Sequence, residues 1–284
     1  MKSASFTRHV PKTVGEAISM LARLAAEDGR VLAGGQSLVP MMALRMARPA
    51  HLIDINEVAG LDTIVNDNGR LAIGALVRHG AFHQPVTEGP LGRLLTVVAD
   101  SIGNYPIRMR GTMCGSLAHA DPGSEWCLTA ATLDAELVVR NQDGERRIPS
   151  NLFFDGIMST TLKEDELLVE IRFPILPMDT MFGFFEFSHR ARDLALAASL
   201  VTYRLEEGRM RDARLGIGGA EPTPRRIAAA EVALNGRRPG SEAFRLAART
   251  AAHAVEPMDD SQIGVEHRRD LVEAVVQRAL EQSL

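Results

Sequence analysis

The sequence has few cysteines and no long apolar run, and these shortages exclude several classes of protein. Its 284 residues include two cysteines, Cys114 and Cys127, too few for a disulfide framework. Neither has partners at metal-site spacing, so we expect no metal ligands and no iron–sulfur cluster in this chain. No apolar run approaches the ~18 residues of a membrane span, and the first residues lack the apolar core of a signal peptide. These absences predict a cytoplasmic protein.

A strong charge of one sign is also missing. The net charge is −4, and acidic and basic residues are interspersed along the chain. We therefore expect neither nucleic acid nor a membrane surface as a partner. The hydrolase motifs G-x-S-x-G and H-E-x-x-H are absent, and we expect no catalytic nucleophile or proton-transfer dyad. With 45% hydrophobic residues over this length, the composition is that of a globular protein of about two domains.

The most informative stretch joins a buried strand at 31–33 to a helix at 38–47. Gly34 and Gly35 form the turn between them, and without a Cβ their backbone can approach a ligand closely. The N–H groups at the start of the helix favour an anion, most often a phosphate. Ser37 either caps this helix or donates its hydroxyl. The spacing matches neither G-x-G-x-x-G nor a P-loop, and a turn without any ligand is the alternative.

The remaining pattern predicts alternating helices and strands in the N-terminal part. A capping box at Thr13 predicts a helix that starts there and stops at Gly29. With the strand at 31–33 and another at 51–55, residues 1–57 form a small β-α-β unit. Further on we expect a hairpin around 66–69, a helix over 90–102, a functional loop over 103–124, a helix at 126–133, and strands at 136–140 and 166–173.

The C-terminal part has strands first and helices afterwards, which is an α+β layout. The prolines at 174 and 177 mark its beginning. The pattern predicts strands at 183–188, 194–205 and 213–218, followed by helices at 227–234, 242–254 and 266–280.

Two segments resemble the FAD-binding medium subunit of molybdenum hydroxylases, the family of carbon monoxide dehydrogenase and xanthine dehydrogenase. The first is Ala33-Gly34-Gly35-Gln36-Ser37-Leu38. The second is Arg110-Gly111-Thr112-Met113-Cys114-Gly115-Ser116-Leu117-Ala118-His119-Ala120-Asp121-Pro122. The similarity extends over nearly the whole chain, including Leu52-Ile53-Asp54-Ile55-Asn56 and Phe184-Phe185-Glu186-Phe187-Ser188-His189-Arg190.

The resemblance implies an α+β fold of the vanillyl-alcohol-oxidase (PCMH) type. An FAD-binding domain would cover residues 1–176, with FAD held between subdomains at about 1–57 and 58–176. A C-terminal domain of antiparallel strands and helices over 177–284 would pack over the flavin.

The function implied by the resemblance is electron transfer within a heterotrimer. A large molybdopterin-binding subunit would oxidise the substrate, and a small subunit with [2Fe-2S] clusters would pass the electrons to FAD in this chain. FAD would hand them to an external acceptor. The alternatives are a stand-alone flavin oxidase or reductase, and a non-enzymatic nucleotide-binding module.

The resemblance also carries the cofactor-binding residues over to this sequence. The first turn contributes Ala33, Gly34, Gly35, Gln36, Ser37 and Leu38, and the second contributes Thr112, Gly115 and Ser116. The acidic contact of the family corresponds to Glu125, with Asp121 as second choice, and the aliphatic contact with the flavin ring to Leu168 or Val169. A pyrophosphate held without a lysine cluster needs backbone N–H groups and hydroxyls, which these residues supply.

The sequence departs from the family pattern at two places. Cys114 replaces a usual glycine, and if that position needs a positive φ the cysteine costs ~1 kcal/mol or more. Cys114 is either a small buried side chain or a redox group. The flavin-contacting lysine that some members carry near 185–186 is absent, so its role is unfilled or passes to Arg190 or Arg192. His119 is either a proton carrier or a structural hydrogen-bonding residue.

Overall fold

The structure is a computed structural model that describes residues 2–260 and 263–284. Its N-terminal part is a three-stranded parallel sheet in the order β1-β3-β2, with two helices in the connections. The elements are β1 (Thr7–His9), α1 (Val14–Leu24), β2 (Gly29–Leu32), α2 (Leu38–Ala43) and β3 (His51–Asp54). The predicted β-α-β unit is present, and β1 adds a third strand that the sequence pattern did not indicate.

The predicted helix stop at Gly29 is wrong, whereas the start at Thr13 is confirmed. The Thr13 side chain accepts a hydrogen bond from the Glu16 N–H at the beginning of α1. A 3-10 turn, Ala25–Glu27, follows α1, and Asp28 has the left-handed conformation, with φ at 57°. Gly29 instead begins β2, where an added Cβ would lie 2.7 Å from the Leu24 carbonyl oxygen. Position 29 is therefore a glycine because the backbone there lies too close to α1 for a side chain.

A five-stranded antiparallel sheet in the order β4-β5-β10-β6-β7 forms the middle of the chain. Its strands are β4 (Ile64–Asp67), β5 (Arg70–Gly74), β6 (Glu136–Asn141), β7 (Gly144–Pro149) and β10 (Leu167–Pro174), with the small hairpin β8 (Phe154–Gly156) and β9 (Ser159–Thr160) before β10. The helices of this part are α3 (Gly89–Ser101), α4 (Tyr105–Arg108), α5 (Met113–His119) and α6 (Glu125–Thr132).

The segment expected to be one long loop, residues 103–124, contains the helices α4 and α5 instead. Met113 and Leu117 lie one helical turn apart in α5, and both are fully buried. Gly115 between them hides this periodicity, because a glycine contributes nothing to the apolar pattern.

The C-terminal part is an antiparallel sheet in the order β11-β12-β13-β14, followed by three helices. The elements are β11 (Thr180–Phe187), β12 (Ala197–Glu206), β13 (Arg209–Gly218), β14 (Arg225–Arg226), α7 (Ala228–Leu234), α8 (Ser241–Ala254) and α9 (Val265–Gln282). The predicted α+β class is confirmed, with strands and helices in the expected order.

The sheet of the C-terminal part has an apolar core on each face. Alternate residues of β12 point to opposite faces, as the period of a strand requires. Ala198 and Leu200 belong to the core of the N-terminal and middle parts, whereas Val201 and Tyr203 pack with α7, α8 and α9. Across residues 2–260 and 263–284, no helix combines the length and apolar character needed to cross a membrane.

Candidate functional site

A cavity of about 720 Å³ opens between the two glycine turns predicted to bind a ligand. That volume is in the ordinary range of small-molecule sites. Ten predicted residues line it: Ala33, Gly34, Gly35, Gln36, Ser37, Leu38, Thr112, Gly115, Ser116 and Leu168. The structure thus brings together both turns and one residue of β10, which are far apart in the sequence.

The first turn presents four consecutive backbone N–H groups that have no acceptor in the described part of the chain. The amides of Gly35, Gln36, Ser37 and Leu38 make no hydrogen bond to any residue that the structure describes. The Gln36 side chain donates to the Gly34 carbonyl oxygen at 3.1 Å and so stabilises the turn. Ser37 precedes α2 but makes no side-chain capping bond, so its hydroxyl is left for a ligand.

The two turns touch through glycine backbones. A Cβ added to Gly34 would lie 2.3 Å from the Arg110 carbonyl oxygen and 2.7 Å from the Cα of Gly111. The backbone of Gly34 is therefore in van der Waals contact with the backbone of Arg110 and Gly111, and no side chain fits between the two turns at this point.

The second turn is the start of α5, which Thr112 caps. The Thr112 hydroxyl accepts a hydrogen bond from the Gly115 N–H at 3.0 Å. Cys114 lies inside this helix and is not among the residues with positive φ, so the condition for its expected strain is not met. Burial raises the pKa of the Cys114 thiol, which disfavours the thiolate. This agrees with a small buried side chain rather than a redox group.

A polar network that the motif analysis missed ties the two turns together. The Asn56 side-chain amide donates to the Ala33 carbonyl oxygen at 2.8 Å and to Asp54 at 2.5 Å. The Arg78 guanidinium donates to the Asn56 amide oxygen at 2.6 Å and to the Arg110 carbonyl oxygen at 2.5 Å. Asp54 is buried and also pairs with Arg8 at 2.6 Å. Burial alone would raise the pKa of Asp54, but hydrogen bonds from Asn56 and Arg8 hold it below its usual value.

We expect Asn56→Ala to loosen both turns. The substitution leaves the Ala33 carbonyl without this donor and removes one of the bonds to Asp54, which keeps those from Arg8 and from the backbone N–H of residue 56. The loss should cost about 2 kcal/mol of unfolding free energy. The affinity for FAD, the cofactor that the resemblance implies, should fall about tenfold, because the N–H groups predicted to bind it are no longer fixed. Urea unfolding and an FAD titration measure the two effects. Asn66→Ala is the matched control, because it removes only an exposed bond to Thr87; an equal loss in both variants would contradict the assignment.

Three predicted residues lie outside the lining of the cavity among the residues described. Asp121 accepts a hydrogen bond from the Gly123 N–H at 2.9 Å and shapes the turn before α6. Val169 lies between Leu168 and Glu170, where the register of β10 against β6 shifts. Glu125 is buried in the first turn of α6. Leu168, the other candidate for an aliphatic contact, does line the cavity.

Glu125 and Glu186 are two carboxyl groups held in a buried environment. Burial raises the pKa of Glu125 to about 7. Burial, and then the charge of Glu125, raise the pKa of Glu186 to about 8. The Oε2 atom of Glu186 is buried and makes no hydrogen bond to a described residue. Glu186 was not predicted as a site residue. It lies at the position near 185–186 where some members of the family carry a lysine that contacts the flavin.

Because the folded protein holds these two protons more tightly than the unfolded chain, the contribution of Glu125 and Glu186 to stability should fall as the pH rises. It exceeds the opposite contribution of His79, whose pKa is lowered to about 4. The loss begins near the ordinary glutamate value of 4.5 and ends near 8. Each unit of raised pKa corresponds to about 1.4 kcal/mol. We expect Glu186→Gln, measured by urea unfolding of the cofactor-free chain across this pH range, to reduce the decline, whereas Glu125 still titrates there because burial raises its pKa. Glu164→Gln, at an exposed position, should leave it unchanged; a wild-type profile that rises between about pH 5 and 8 would contradict the expectation.

His119 lies at the cavity, whereas the two candidate arginines do not. The His119 ring makes no hydrogen bond to a described residue, so the structural role considered for it has no observed partner. Its role as a proton carrier stays a prediction. Arg190 and Arg192 are exposed and lie outside the cavity lining, and a role for either in place of the lysine stays a prediction.

Several lining residues were not found from the sequence. They include two arginines, a buried histidine and apolar residues from α2 and β10: Arg30, Arg48, His79, Met41 and Leu167. Single arginines and histidines carry no motif, so only the folded arrangement shows them. In the described part of the chain, no three His, Cys, Asp or Glu side chains are grouped as metal ligands.

Comparison with known proteins identifies the family. The family model for the FAD binding domain in molybdopterin dehydrogenase matches residues 4–176, and that for the CO dehydrogenase flavoprotein C-terminal domain matches residues 183–283. The chain is 33% identical to the carbon monoxide dehydrogenase medium chain of Hydrogenophaga pseudoflava, over 97% of this chain and 96% of that protein.

Two further similarities span the whole chain. It is 35% identical to the 6-hydroxypseudooxynicotine dehydrogenase complex subunit alpha of Paenarthrobacter nicotinovorans, covering 100% of this chain and 96% of that protein. The crystal structure of quinoline 2-oxidoreductase from Pseudomonas putida 86 superimposes with a TM-score of 0.94 at 31% identity, covering 100% of this chain and 98% of that chain. The chain therefore belongs to the FAD-binding medium chains of the carbon monoxide dehydrogenase and xanthine dehydrogenase family.

Proposed function

We propose that this medium chain of a molybdenum hydroxylase holds FAD in the cavity between its two glycine turns and passes electrons through it. The observation that carries the proposal is the row of four N–H groups at Gly35, Gln36, Ser37 and Leu38, which line the cavity and have no acceptor among residues 2–260 and 263–284. Gly35, Ser37 and Leu38 are half-buried, and backbone donors in such places are rarely left without an acceptor, so the row fits a ligand rich in oxygen atoms.

The residues of the cavity fit FAD. A pyrophosphate needs several donors, which the first turn supplies from its backbone. Arg48 also lines the cavity, as does Arg30, which pairs with Asp28 at 3.4 Å. The close contact of Gly34 with Gly111 keeps the turns together, so that a ligand can touch both. Leu168 offers an aliphatic surface for a flat apolar ring.

When bound, FAD supplies reversible one- and two-electron transfer, which no side chain of this protein can provide. The chain's own residues bind and orient the cofactor. Under this proposal Thr112, Gly115 and Ser116 hold its ribityl and phosphate oxygens from the second turn, and Glu125 or Asp121 acts from the segment that follows. Because Glu125 is buried, this last contact requires FAD to extend beyond the cavity toward α6.

We further propose two partner subunits and an external electron acceptor. The large subunit would carry molybdopterin and the small one [2Fe-2S] clusters, with electrons passing from the clusters to FAD. Relatives of similar length are named as medium chains or subunits for carbon monoxide and for 6-hydroxypseudooxynicotine. Since the named substrates differ while the chains are alike, the substrate should bind in a partner. Cytoplasmic location stays a prediction from the sequence.

The division into an FAD-binding domain over 1–176 and a C-terminal domain over 177–284 is also proposed. Its support is the position of the two apolar cores, of which the second contains only residues from Leu196 onward. The family models divide the chain in the same region, between residues 176 and 183.

An absorption spectrum of the purified chain, followed by heat release and chromatography of its cofactor, tests the proposal. We expect flavin bands and released FAD, or uptake of added FAD by a colourless preparation. Electron transfer should then require the iron–sulfur partner: reduction of the bound flavin by substrate should occur only when all three subunits are present. Turnover by the isolated chain would favour a stand-alone oxidase, and failure to bind FAD would leave a nucleotide-binding module.

A further inference from the structure

The ring of His79 is placed against the second glycine turn by backbone pairing. The His79 N–H donates to the Gly111 carbonyl oxygen at 3.0 Å, and Arg78 and Thr112 form an antiparallel bridge beside it. The side chain is 3% exposed and lines the cavity. His79 is therefore a buried polar group fixed at the point where the two turns meet.

The hydrogen bond from Trp126 determines which nitrogen of His79 carries the proton. The Trp126 indole N–H lies 3.0 Å from the His79 Nδ1 atom, and both side chains are buried. An indole nitrogen can only donate, so Nδ1 must accept. The neutral ring then carries its proton on Nε2.

The ring is also held neutral. Burial, and then the charges of Arg78 and Arg108, lower the pKa of His79 to about 4. A second proton would have to go to Nδ1, where the Trp126 indole already donates. His79 thus presents an uncharged N–H donor throughout the neutral pH range.

The Nε2 atom faces the second turn and has no acceptor there. A Cβ added to Gly111 would lie 2.6 Å from Nε2, so this nitrogen packs against the Gly111 Cα. Nε2 makes no hydrogen bond to any residue within 2–260 or 263–284. Gly111 and His79 both line the cavity, so the free donor lies at the cavity wall beside the point of contact of the turns.

We propose that His79, as its Nε2–H tautomer locked by Trp126, donates a hydrogen bond to an oxygen atom of FAD at the junction of the two glycine turns. The inference rests on the proposed binding of FAD in this cavity. It adds a binding residue from outside both glycine motifs, and it assigns Trp126 the role of a positioning residue that acts through His79.

Nitrogen-15 NMR of the full chain labelled at histidine tests the tautomer and the contact separately. In the cofactor-free chain we expect His79 to show a protonated Nε2 and an unprotonated Nδ1 from about pH 5.5 to 8. Added FAD should move the Nε2–H proton resonance downfield and leave the tautomer unchanged. A protonated Nδ1, or a Nε2–H resonance that FAD binding does not move, would overturn the proposal.

Variants provide a second readout by FAD titration. His79→Leu should bind FAD about tenfold more weakly, the value of one hydrogen bond, and His79→Gln should recover most of the affinity because its amide also donates. Trp126→Phe keeps the imidazole but frees the tautomer, so it should give a mixture of tautomers by NMR and an intermediate affinity.

His83→Leu is the matched control, because His83 accepts a bond from Arg108 at 2.9 Å and lies outside the cavity lining. Its FAD affinity should equal that of the wild type even if its stability falls. Should His79→Leu fail to fold, the wild-type NMR result decides. A wild-type chain that binds no FAD at all would refute the proposed function, whereas wild-type binding with unchanged affinity in His79→Leu refutes this inference alone.

Discussion

Gly34→Ala should abolish tight FAD binding, with a loss of affinity of at least about a hundredfold. The added Cβ would lie 2.3 Å from the Arg110 carbonyl oxygen and 2.7 Å from the Gly111 Cα, and neither backbone atom can rotate away. The turns must separate, which displaces the four free N–H groups of the first turn from the second. Overpacking of this kind should also cost about 2 kcal/mol of stability.

Gly34→Ala tests the close approach of the two turns without adding backbone strain, because Gly34 does not have a positive φ. Gly35, by contrast, has a φ of 73°. FAD titration by fluorescence quenching and urea unfolding measure the two effects. Gly15→Ala is the control: Gly15 lies in α1 with no atom within 4 Å of the added Cβ, so the variant should be stabilised by about 0.5–1 kcal/mol. FAD affinity of Gly34→Ala within about threefold of the wild type would show that the turns need not touch.

The sequence predicted those parts of the fold whose signals are local. The capped start of α1, the hairpin between β4 and β5 and the three C-terminal helices all follow from caps, turn residues and apolar spacing. The failures depend on packing and strand pairing, which the local pattern does not show. Gly29 was interpreted as a helix stop, but its lack of a side chain serves packing against Leu24. The strand β1 is stabilised by pairing with β3, and nothing in its own three residues requires it.

In the candidate site, too, residues with a local sequence signal were predicted, whereas residues recognised only by their contacts in the folded chain were not. Glycine turns have a sequence signature, and all nine residues predicted from the two turns do line one cavity. The Asn56–Arg78 network and the His79–Trp126 pair have none, because each joins residues more than 20 positions apart. Asn56 was already part of the segment that resembles the family, yet its role is visible only once its amide reaches the Ala33 carbonyl oxygen.

Arg268→Met should destabilise the C-terminal part by about 3 kcal/mol. Arg268 lies in α9 with 2% of its surface exposed. Its guanidinium donates to the Gly219 carbonyl oxygen at 2.6 Å, to the Leu196 carbonyl oxygen at 3.3 Å and to Asp260 at 2.6 Å. Methionine fills similar space but donates no hydrogen bond, so two buried carbonyl groups lose this donor, at about 1–3 kcal/mol each before relaxation.

The neighbouring Arg269→Met is a closely matched control. Arg269 pairs with Glu266, whose side chain is 85% exposed, so its loss should change stability by less than about 0.5 kcal/mol. Equal effects in the two variants, measured by urea unfolding, would show that the buried hydrogen bonds of Arg268 do not contribute to stability.

The apolar pattern of α9 already indicated that Arg268 is buried. It precedes Leu271, Val272 and Val275 by three, four and seven residues and so shares their buried face. A buried guanidinium needs hydrogen-bond acceptors within the core. One of the acceptors of Arg268, the Gly219 carbonyl oxygen, links α9 to the segment before Glu125. Gly219, held by Arg268, donates its N–H to the Pro122 carbonyl oxygen at 2.7 Å, directly before the segment that leads into Glu125. The Arg268→Met variant should therefore also alter the pH dependence of stability attributed to Glu125 and Glu186, which Arg269→Met should leave intact.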